Sequence, residues 1–240
     1  MLLEEKFIKG DPKVTVLIPC LNEEKNISDL LQVLNQMGYD TLVVDGHSLD
    51  KTVETAKDLG ADVFVQNGNG KGAALREAFS RDLNGGAVVI MDADGSMNPK
   101  EIPQLIEALD SGFDVAKGSR FLHYGRTHDM TLFRRIGNEV FLLLVNRFWS
   151  ANYTDLCYGF GAFTKDAIKK LGPHLKSTSF EIETEVFIKA KKLGLKVVEV
   201  PSIESRRRNG KSNLNGFRDG FRILRTIFEE FVDSLKNHTS

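Results

Sequence analysis

The sequence predicts an α/β fold with a mostly parallel central sheet flanked by helices, closed at its end by an amphipathic helix. Two observations carry this. Short, nearly all-apolar runs rich in β-branched residues alternate with stretches of helical spacing through the first 116 residues. The polar clusters NEE, DGHSLD, GNGKG and DADG each follow directly on one of those runs. Strands apolar on both faces belong in a sheet that helices cover on both sides. In such sheets ligands sit beyond the carboxyl ends of the strands, and the four clusters fall there.

Taken in order, VTVLIPC (14–20) reads as a buried strand. Glu23 to Met37 reads as a helix, with Ile27, Leu30, Leu31 and Leu34 in one stripe and Gly38 as its stop. TLVVDG (41–46) is a second strand, and Leu49 to Leu59 a helix capped by Ser48 or Asp50 and closed by Gly60. ADVFVQ (61–66) is a third strand, and GNGKGAALREAFSRDL opens a third helix. GAVVIMDADG (86–95) runs from a fourth strand into an acidic turn, which Gly95 permits. A helix at Ile102–Leu109 and a strand and loop at 113–121 follow. Beyond them the spacing predicts helices at 132–149 and 181–193, a loop at 152–161 and a strand at 195–200. An arginine-rich loop (204–212) precedes a final helix of about twenty residues.

With 240 residues and no internal repeat or linker, the chain is expected to be a single domain over 1–240. Within it, about 12–116 forms a nucleotide-gripping half, about 117–212 an acceptor half and about 213–235 the C-terminal amphipathic helix. A 41% hydrophobic, 27% charged composition is that of a soluble globular protein. The net charge of −1 hides a division. Residues 1–116 hold 10 Lys and Arg against 20 Asp and Glu; residues 117–240 hold 22 against 13. An acidic half that holds a cation and a basic half that holds phosphates suit a phosphate-bearing substrate, and a solvated surface could carry the same split. Cys20 and Cys157 have neither disulfide-framework nor metal-ligand spacing, which points to reduced thiols in a cytosolic protein. Charges in MLLEEKFIKGDPK occupy the place of a signal peptide's apolar core. No stretch reaches the roughly 20 apolar residues that cross a bilayer.

Asp92 and Asp94 follow a buried strand directly, two apart before a glycine, and can converge on Mg²⁺ or Mn²⁺, hard ions that take oxygen ligands and keep substrate phosphates. Gly68, Gly70, Lys71 and Gly72 lack the GxxxxGK[ST] pattern but set a glycine-rich turn at a helix start, where free N–H groups favour an anion. Lys71 is placed to pair with a donor phosphate or with Asp94. Arg206, Arg207, Arg208 and Lys211 form a dense cationic loop around the Asn209-Gly210 turn, suited to a diphosphate or a lipid phosphate. No aromatic platform accompanies that loop, so nucleic acid is not an expected partner. Arg120 is a second cation on the acceptor side. Asp155 and the set Glu181, Glu183 and Glu185 are candidates for a base or for contacts to substrate hydroxyls; Asp155, Glu183 and Arg120 are the catalytic candidates. Glu181 and Glu185 share a helix face, Glu183 points elsewhere, and one of the three is expected in solvent.

The order IPCLNEE, VVDGHSLDKT, GKGAALREAF, MDADG, KGSRF, DLCYGF, FEIETE and RRRNGKSNL resembles family 2 glycosyltransferases of the GT-A (Rossmann-like) fold over nearly the whole chain. The subgroup it resembles is that of the dolichyl-phosphate mannose and glucose synthases. The resemblance implies that Pro19, Asn22 and Glu23 border the base and ribose of a nucleotide-sugar donor, that Asp45 accepts a hydrogen bond from the base, and that Asp92 and Asp94 hold the metal. The family pattern DDGS stands here as DGHS, with Gly46 in the second acidic place, which leaves uridine and guanosine both open.

The expected activity is inverting hexosyl transfer from a UDP- or GDP-sugar to a polyprenyl or dolichyl phosphate. A phosphate acceptor is already anionic, so positioning and metal-assisted departure of the diphosphate suffice without a base. In the last helix Phe217, Phe221, Leu224, Phe228, Phe231 and Leu235 form an apolar stripe beside Arg218, Arg222 and Arg225; the 132–149 helix repeats the arrangement. Such faces suit a headgroup layer, core packing or a homodimer. Peripheral attachment at the cytoplasmic face of a membrane, or to a membrane-embedded partner, follows. The rivals are a soluble sugar or glycerate acceptor, a sugar nucleotidyltransferase, and a non-catalytic nucleotide-sugar binder. A nucleotidyltransferase would carry a basic, glycine-rich fingerprint where this chain reads CLNEEKN.

Overall fold

The computed structural model describes residues 14–83, 85–210 and 212–238. Seven strands form one sheet: β1 (Val14–Cys20), β2 (Asp40–Asp45), β3 (Asp62–Val65), β4 (Ala87–Ile90), β5 (Val115–Ser119), β7 (Gly161–Thr164) and β8 (Val197–Pro201). Their order across the sheet is β3-β2-β1-β4-β7-β5-β8. A two-stranded parallel ribbon pairs β6 (Arg126–Thr127) with β9 (Ile203–Glu204). Alternation along β1 divides the core: Leu17 enters the apolar cluster on one face, while Val16 and Ile18 enter that on the other. The first face is covered by helices α3 (Lys71–Phe79), α6 (Lys165–Leu171), α7 (Ile182–Lys192) and part of α8 (Gly216–His238). The second is covered by α1 (Glu24–Gln36) and α4 (Ile102–Asp110). The sheet is therefore buried on both sides, as its near-continuous apolar runs require.

Connections from β1 run outward to β2 and β3 on one side and return to β4 on the other. The chain direction across the sheet switches at β1 and β4, and a crevice opens beyond their carboxyl ends. The sequence placed these strands and helix α2 (Thr52–Asp58) within a few residues.

It did not place β7, which lies antiparallel between β4 and β5 where a loop was expected to end. Four residues, GAFT, carry no readable period. The consequence is functional: β7 starts opposite the end of β4, with Gly161 paired to Ile90, so the loop before it opens onto the crevice.

The final helix corrects another expectation. Its stripe is not one face: Ile223 and Ile227 are buried, Leu224 packs against the core and Phe231 stacks on Phe148 with ring centroids 4.1 Å apart. Phe217, Phe221 and Phe228 stay exposed. They continue a strip of exposed Leu132, Phe133, Ile136, Val140 and Leu143 on α5 (Leu132–Trp149), and Phe133 meets Phe217 at 4.6 Å. Among the described residues no helix is long and apolar enough to cross a membrane.

Candidate active site

The crevice is a cleft of about 300 Å³. Its floor comes from the strand ends: Pro19 and Cys20 of β1, Val44 and Gly46 at the end of β2, and Asp92 to Met97 after β4. The acidic turn is built by its own backbone. Met91 extends the ladder to Leu17, Gly95 turns at φ +76°, and the Ser96 N–H donates to Asp94 Oδ1 at 2.9 Å. Asp92 and Asp94 both line the cleft.

Lys71, the first residue of α3, reaches over them. Its Nζ lies 2.6 Å from Asp92 Oδ1 and 2.7 Å from Glu183 Oε1 on α7. Burial opposes a charge on Lys71, yet the two carboxylates more than offset it and hold the ammonium strongly protonated. Burial pushes Asp92 up to about 6, helped by Asp94 and Glu183 and opposed by Lys71. Lys71 thus pairs with Asp92, not Asp94. Gly159 is what admits the bridge: a Cβ there would lie 2.6 Å from Lys71 Nζ and 2.7 Å from Glu183 Oε1.

The glutamate set divides by face as helical spacing requires, but none of the three is in solvent. Glu181 accepts the N–H groups of Thr178 and Ser179, and Glu185 those of Lys176 and Ser177, so both fix the loop before α7. Glu183 alone faces the cleft.

Arg120 and Asp155 are brought together, but away from the cleft lining. They form a bidentate pair, Nε to Oδ2 at 2.7 Å and Nη2 to Oδ1 at 2.9 Å, with Asp155 0% and Arg120 2% exposed. Arg120 also bonds Glu204, which does line the cleft, at 3.0 Å, and lies 4.7 Å from the centre of the Tyr158 ring. Burial works against the Asp155 charge, and the adjacent guanidinium outweighs it, holding the carboxyl below its usual range. This pair buttresses the cleft wall from behind.

The arginine-rich loop closes the opposite rim. Arg207 donates to Glu23 Oε1 at 2.8 Å and approaches Asp94 Oδ2 at 3.5 Å. Arg206 turns outward to the carbonyl of His128. Lys211 lies outside the described residues. A run of three arginines gives no sequence signal for which one faces inward. Asn22 works as a clip: its N–H donates to Ser48 Oγ and its side chain accepts from Leu49 N, tying the loops after β1 and β2 together. Asp45 is buried beneath them, with Oδ2 accepting from Ser48 N at 2.9 Å.

Sequence reasoning missed Asp129, Arg134, Glu204 and Arg218 as cleft residues. Arg134 and Arg218 were legible only as companions of apolar stripes; the fold brings the starts of α5 and α8 to the cleft mouth. Cys20 and Cys157 both line the cleft, and burial pushes both thiols up, Cys157 to about 12, so they are neutral walls there and not nucleophiles.

The two aspartates fit a divalent ion in donor chemistry. Asp92 Oδ1 is committed to Lys71 and Asp94 Oδ1 to Ser96, while Asp94 Oδ2 faces Arg207 Nε at 3.5 Å, a contact that a bound ion would replace. Among the described residues no group of three His, Cys, Asp or Glu could hold a metal alone, so such an ion would need ligands from a diphosphate and water.

The family described as glycosyl transferase family 2 matches residues 15–172. The chain is 34% identical over 217 residues to glycosyltransferase AglJ of Haloferax volcanii, covering 90% of this chain and 71% of that one. It is 33% identical over 228 residues to a dolichol-phosphate mannosyltransferase of Pyrococcus furiosus, covering 90% and 63%. Among solved structures, glucosyl-3-phosphoglycerate synthase from Mycobacterium tuberculosis, in complex with Mn²⁺, uridine diphosphate and glucosyl-3-phosphoglycerate, superposes with a TM-score of 0.72 at 20% identity. That superposition covers 91% of this chain and 80% of the synthase, and the two share a fold.

Proposed function

Because the chain belongs to glycosyl transferase family 2, we propose that it moves a hexose from a nucleoside-diphosphate sugar to a polyprenyl phosphate, with inversion at the anomeric carbon. The observation that carries this reading is the cleft mouth. Arg134 and Arg218 line the same cleft as Asp92 and Asp94, and both stand on the helices, α5 and α8, that carry the exposed apolar strip. A lipid whose phosphate must reach a polar site while its chain stays in hydrocarbon suits that arrangement. The dolichol-phosphate mannosyltransferase among the relatives supports the same acceptor class.

Asp92 and Asp94 would hold Mg²⁺ or Mn²⁺, as in the Mn²⁺ and Mg²⁺ complexes of the synthase that shares the fold. When bound, the ion offsets charge on the departing diphosphate. The chain's own groups do the rest. Lys71 holds Asp92 and Glu183 in register and supplies a cation beside the diphosphate. Arg207 closes the donor side. Glu183, paired with Lys71, accepts hydrogen bonds from sugar hydroxyls and is not needed as a base, because the acceptor oxygen is already anionic. The apolar strip docks on an anionic bilayer, with Arg218, Arg222 and Arg225 meeting its headgroups.

The test is a panel of UDP- and GDP-hexoses with Mg²⁺ or Mn²⁺ and a polyprenyl phosphate in liposomes, read as lipid-linked sugar. Nucleoside diphosphate and a glycolipid are the expected products. Transfer to 3-phosphoglycerate with none to the lipid would replace this reading with a soluble acceptor, and release of pyrophosphate would replace the reaction class.

A further inference from the structure

The loop before β7, residues 151–160, lies outside every helix and strand and yet forms part of the cleft wall. Its consecutive N–H groups from Tyr153 to Cys157 are taken by side chains. Asn146 Oδ1 accepts from Tyr153 N at 3.0 Å. Glu199 accepts from Thr154 N at 2.8 Å and from Asp155 N at 3.3 Å. Asn138 Oδ1 accepts from both Leu156 N at 3.0 Å and Cys157 N at 3.2 Å. A buried N–H without a partner is costly, so these side chains set the course of the loop.

Asn138 is the clamp nearest the chemistry. It is 1% exposed and shares the inner face of α5 with Phe141 and Val145, taking a place that helical spacing gives to an apolar residue. Asparagine is a weaker helix former than leucine, which has the same branched outline, so the helix itself gains nothing from it. Its Nδ2 is buried without a hydrogen-bond partner, so only the amide oxygen is in use. That oxygen fixes the N–H of Cys157, and Arg120 Nη2 fixes the Cys157 carbonyl at 2.8 Å. The next anchor is Phe160 O, which accepts from Gly118 N at 2.9 Å. Tyr158 and Gly159 span the gap between these anchors, and both line the cleft. Gly159 is where a missing Cβ admits the bridge from Lys71 to Glu183, so a shift of Cys157 is carried to the groups around Asp92.

We propose that Asn138 is a positioning residue for the transfer: through Cys157 it holds the wall at Gly159 where Lys71 can bridge Asp92 and Glu183. Its effect on rate rests on the transferase reading, whereas its effect on the wall does not. Asn146 provides the contrast. It too makes two hydrogen bonds to the loop, accepting from Tyr153 N and donating to Tyr153 O, but Tyr153 stands outside the cleft lining. The two asparagines thus hold one loop with equal numbers of bonds, one beside the chemistry and one away from it.

The test compares three variants, each with a melting curve: Asn138→Leu, Asn146→Leu, and the milder Asn138→Ser, whose freed space lets water reach the two N–H groups. Transfer to a polyprenyl phosphate gives kcat and the donor KM. Iodoacetamide labelling of Cys157, located by peptide mass spectrometry, reads the wall without turnover. Both Asn138 variants should lower kcat at least about tenfold with the donor KM within about twofold, because only the reacting geometry has moved. They should also label Cys157 at least about fivefold faster, as local opening exposes the thiol. Asn146→Leu should lower the melting temperature too, yet leave kcat and labelling within about twofold of wild type. Equal losses of kcat in the Asn138 and Asn146 variants would reduce Asn138 to a stabilising contact and overturn the proposal. Unchanged kcat and labelling in Asn138→Ser would overturn it as well. Absence of transfer in wild type overturns the transferase reading instead, and the labelling ratio then decides whether Asn138 holds the wall.

Discussion

At the scale of single residues, the site is a set of carboxylates kept apart by cations. Lys71 separates Asp92 from Glu183, and Arg207 separates Glu23 from Asp94. Because the Lys71 bridge passes through space that only a glycine leaves open, Gly159→Ala should displace it. The clashing atoms are the far ends of flexible side chains, so the melting temperature should move little while kcat falls at least about tenfold; a large loss of stability with unchanged kcat would contradict the assignment. Asp94→Asn keeps the turn's hydrogen bond from Ser96 and removes a charge. Transfer should drop at least about a hundredfold, and added Mn²⁺ should no longer tighten diphosphate binding. Asp155 differs in kind. Its folded pKa is depressed, so its stabilisation is fully present above the unfolded value of about 3.9 and is lost as pH falls through the folded one. Asp155→Asn leaves the buried Arg120 with Glu204 as its remaining ion-pair partner and should cost about 3 kcal/mol in urea unfolding at pH 7. The gap to wild type should stay flat down to about pH 4 and narrow only below it.

At the scale of elements, α5 and α8 are amphipathic in a way their sequences state only in part. Periodicity finds an apolar stripe but does not say how much of it neighbouring helices cover. Here Ile223 and Ile227 are consumed by the core, and Phe217 and Phe221 are left outside. Phe217→Glu with Phe221→Glu should therefore weaken flotation on anionic liposomes at least about tenfold, since each phenylalanine loses burial of about 1.5–3 kcal/mol. Affinity for nucleoside diphosphate should hold, and a drop in it would mean the helix had come off the core. The same distinction marks what was legible elsewhere. The parallel strands and their helices could be placed because whole apolar runs and 3.6-residue stripes stood between clear breakers, and the acidic turn because DAD follows such a run. The antiparallel Gly161–Thr164 strand was too short to carry a period, and with it went the knowledge that Gly159 sits beside Lys71. Asp155 and Arg120 were legible as charged residues in motifs; their mutual burial depends on β5 and the loop before β7 meeting in space, which spacing does not encode.

At the scale of the whole molecule, the uneven charge of the two halves becomes a seam. The acidic first half supplies the strand ends and α1; the basic second half returns over them as the loop between β9 and α8, and Arg207, Arg208 and Asn209 cross to Glu23, Asp29 and Asn26. The exposed Arg208 pair is worth little on its own. Arg207 is the half-buried one, touching both Glu23 and Asp94 in the cleft, so its removal should be felt by a bound nucleotide. Two signs are conceivable. If Arg207 merely plugs an empty cleft, Arg207→Ala should tighten nucleoside diphosphate binding. If it closes on bound diphosphate, as charge complementarity favours, the variant should release it at least about tenfold faster in stopped-flow displacement while binding it at a similar rate. Raising salt should blunt the wild-type advantage, because phosphate contacts at an open rim are screened within about 10 Å at 0.1 M. The retention reading predicts faster release in the variant and convergence of the two proteins at high salt, and slower release in the variant excludes it.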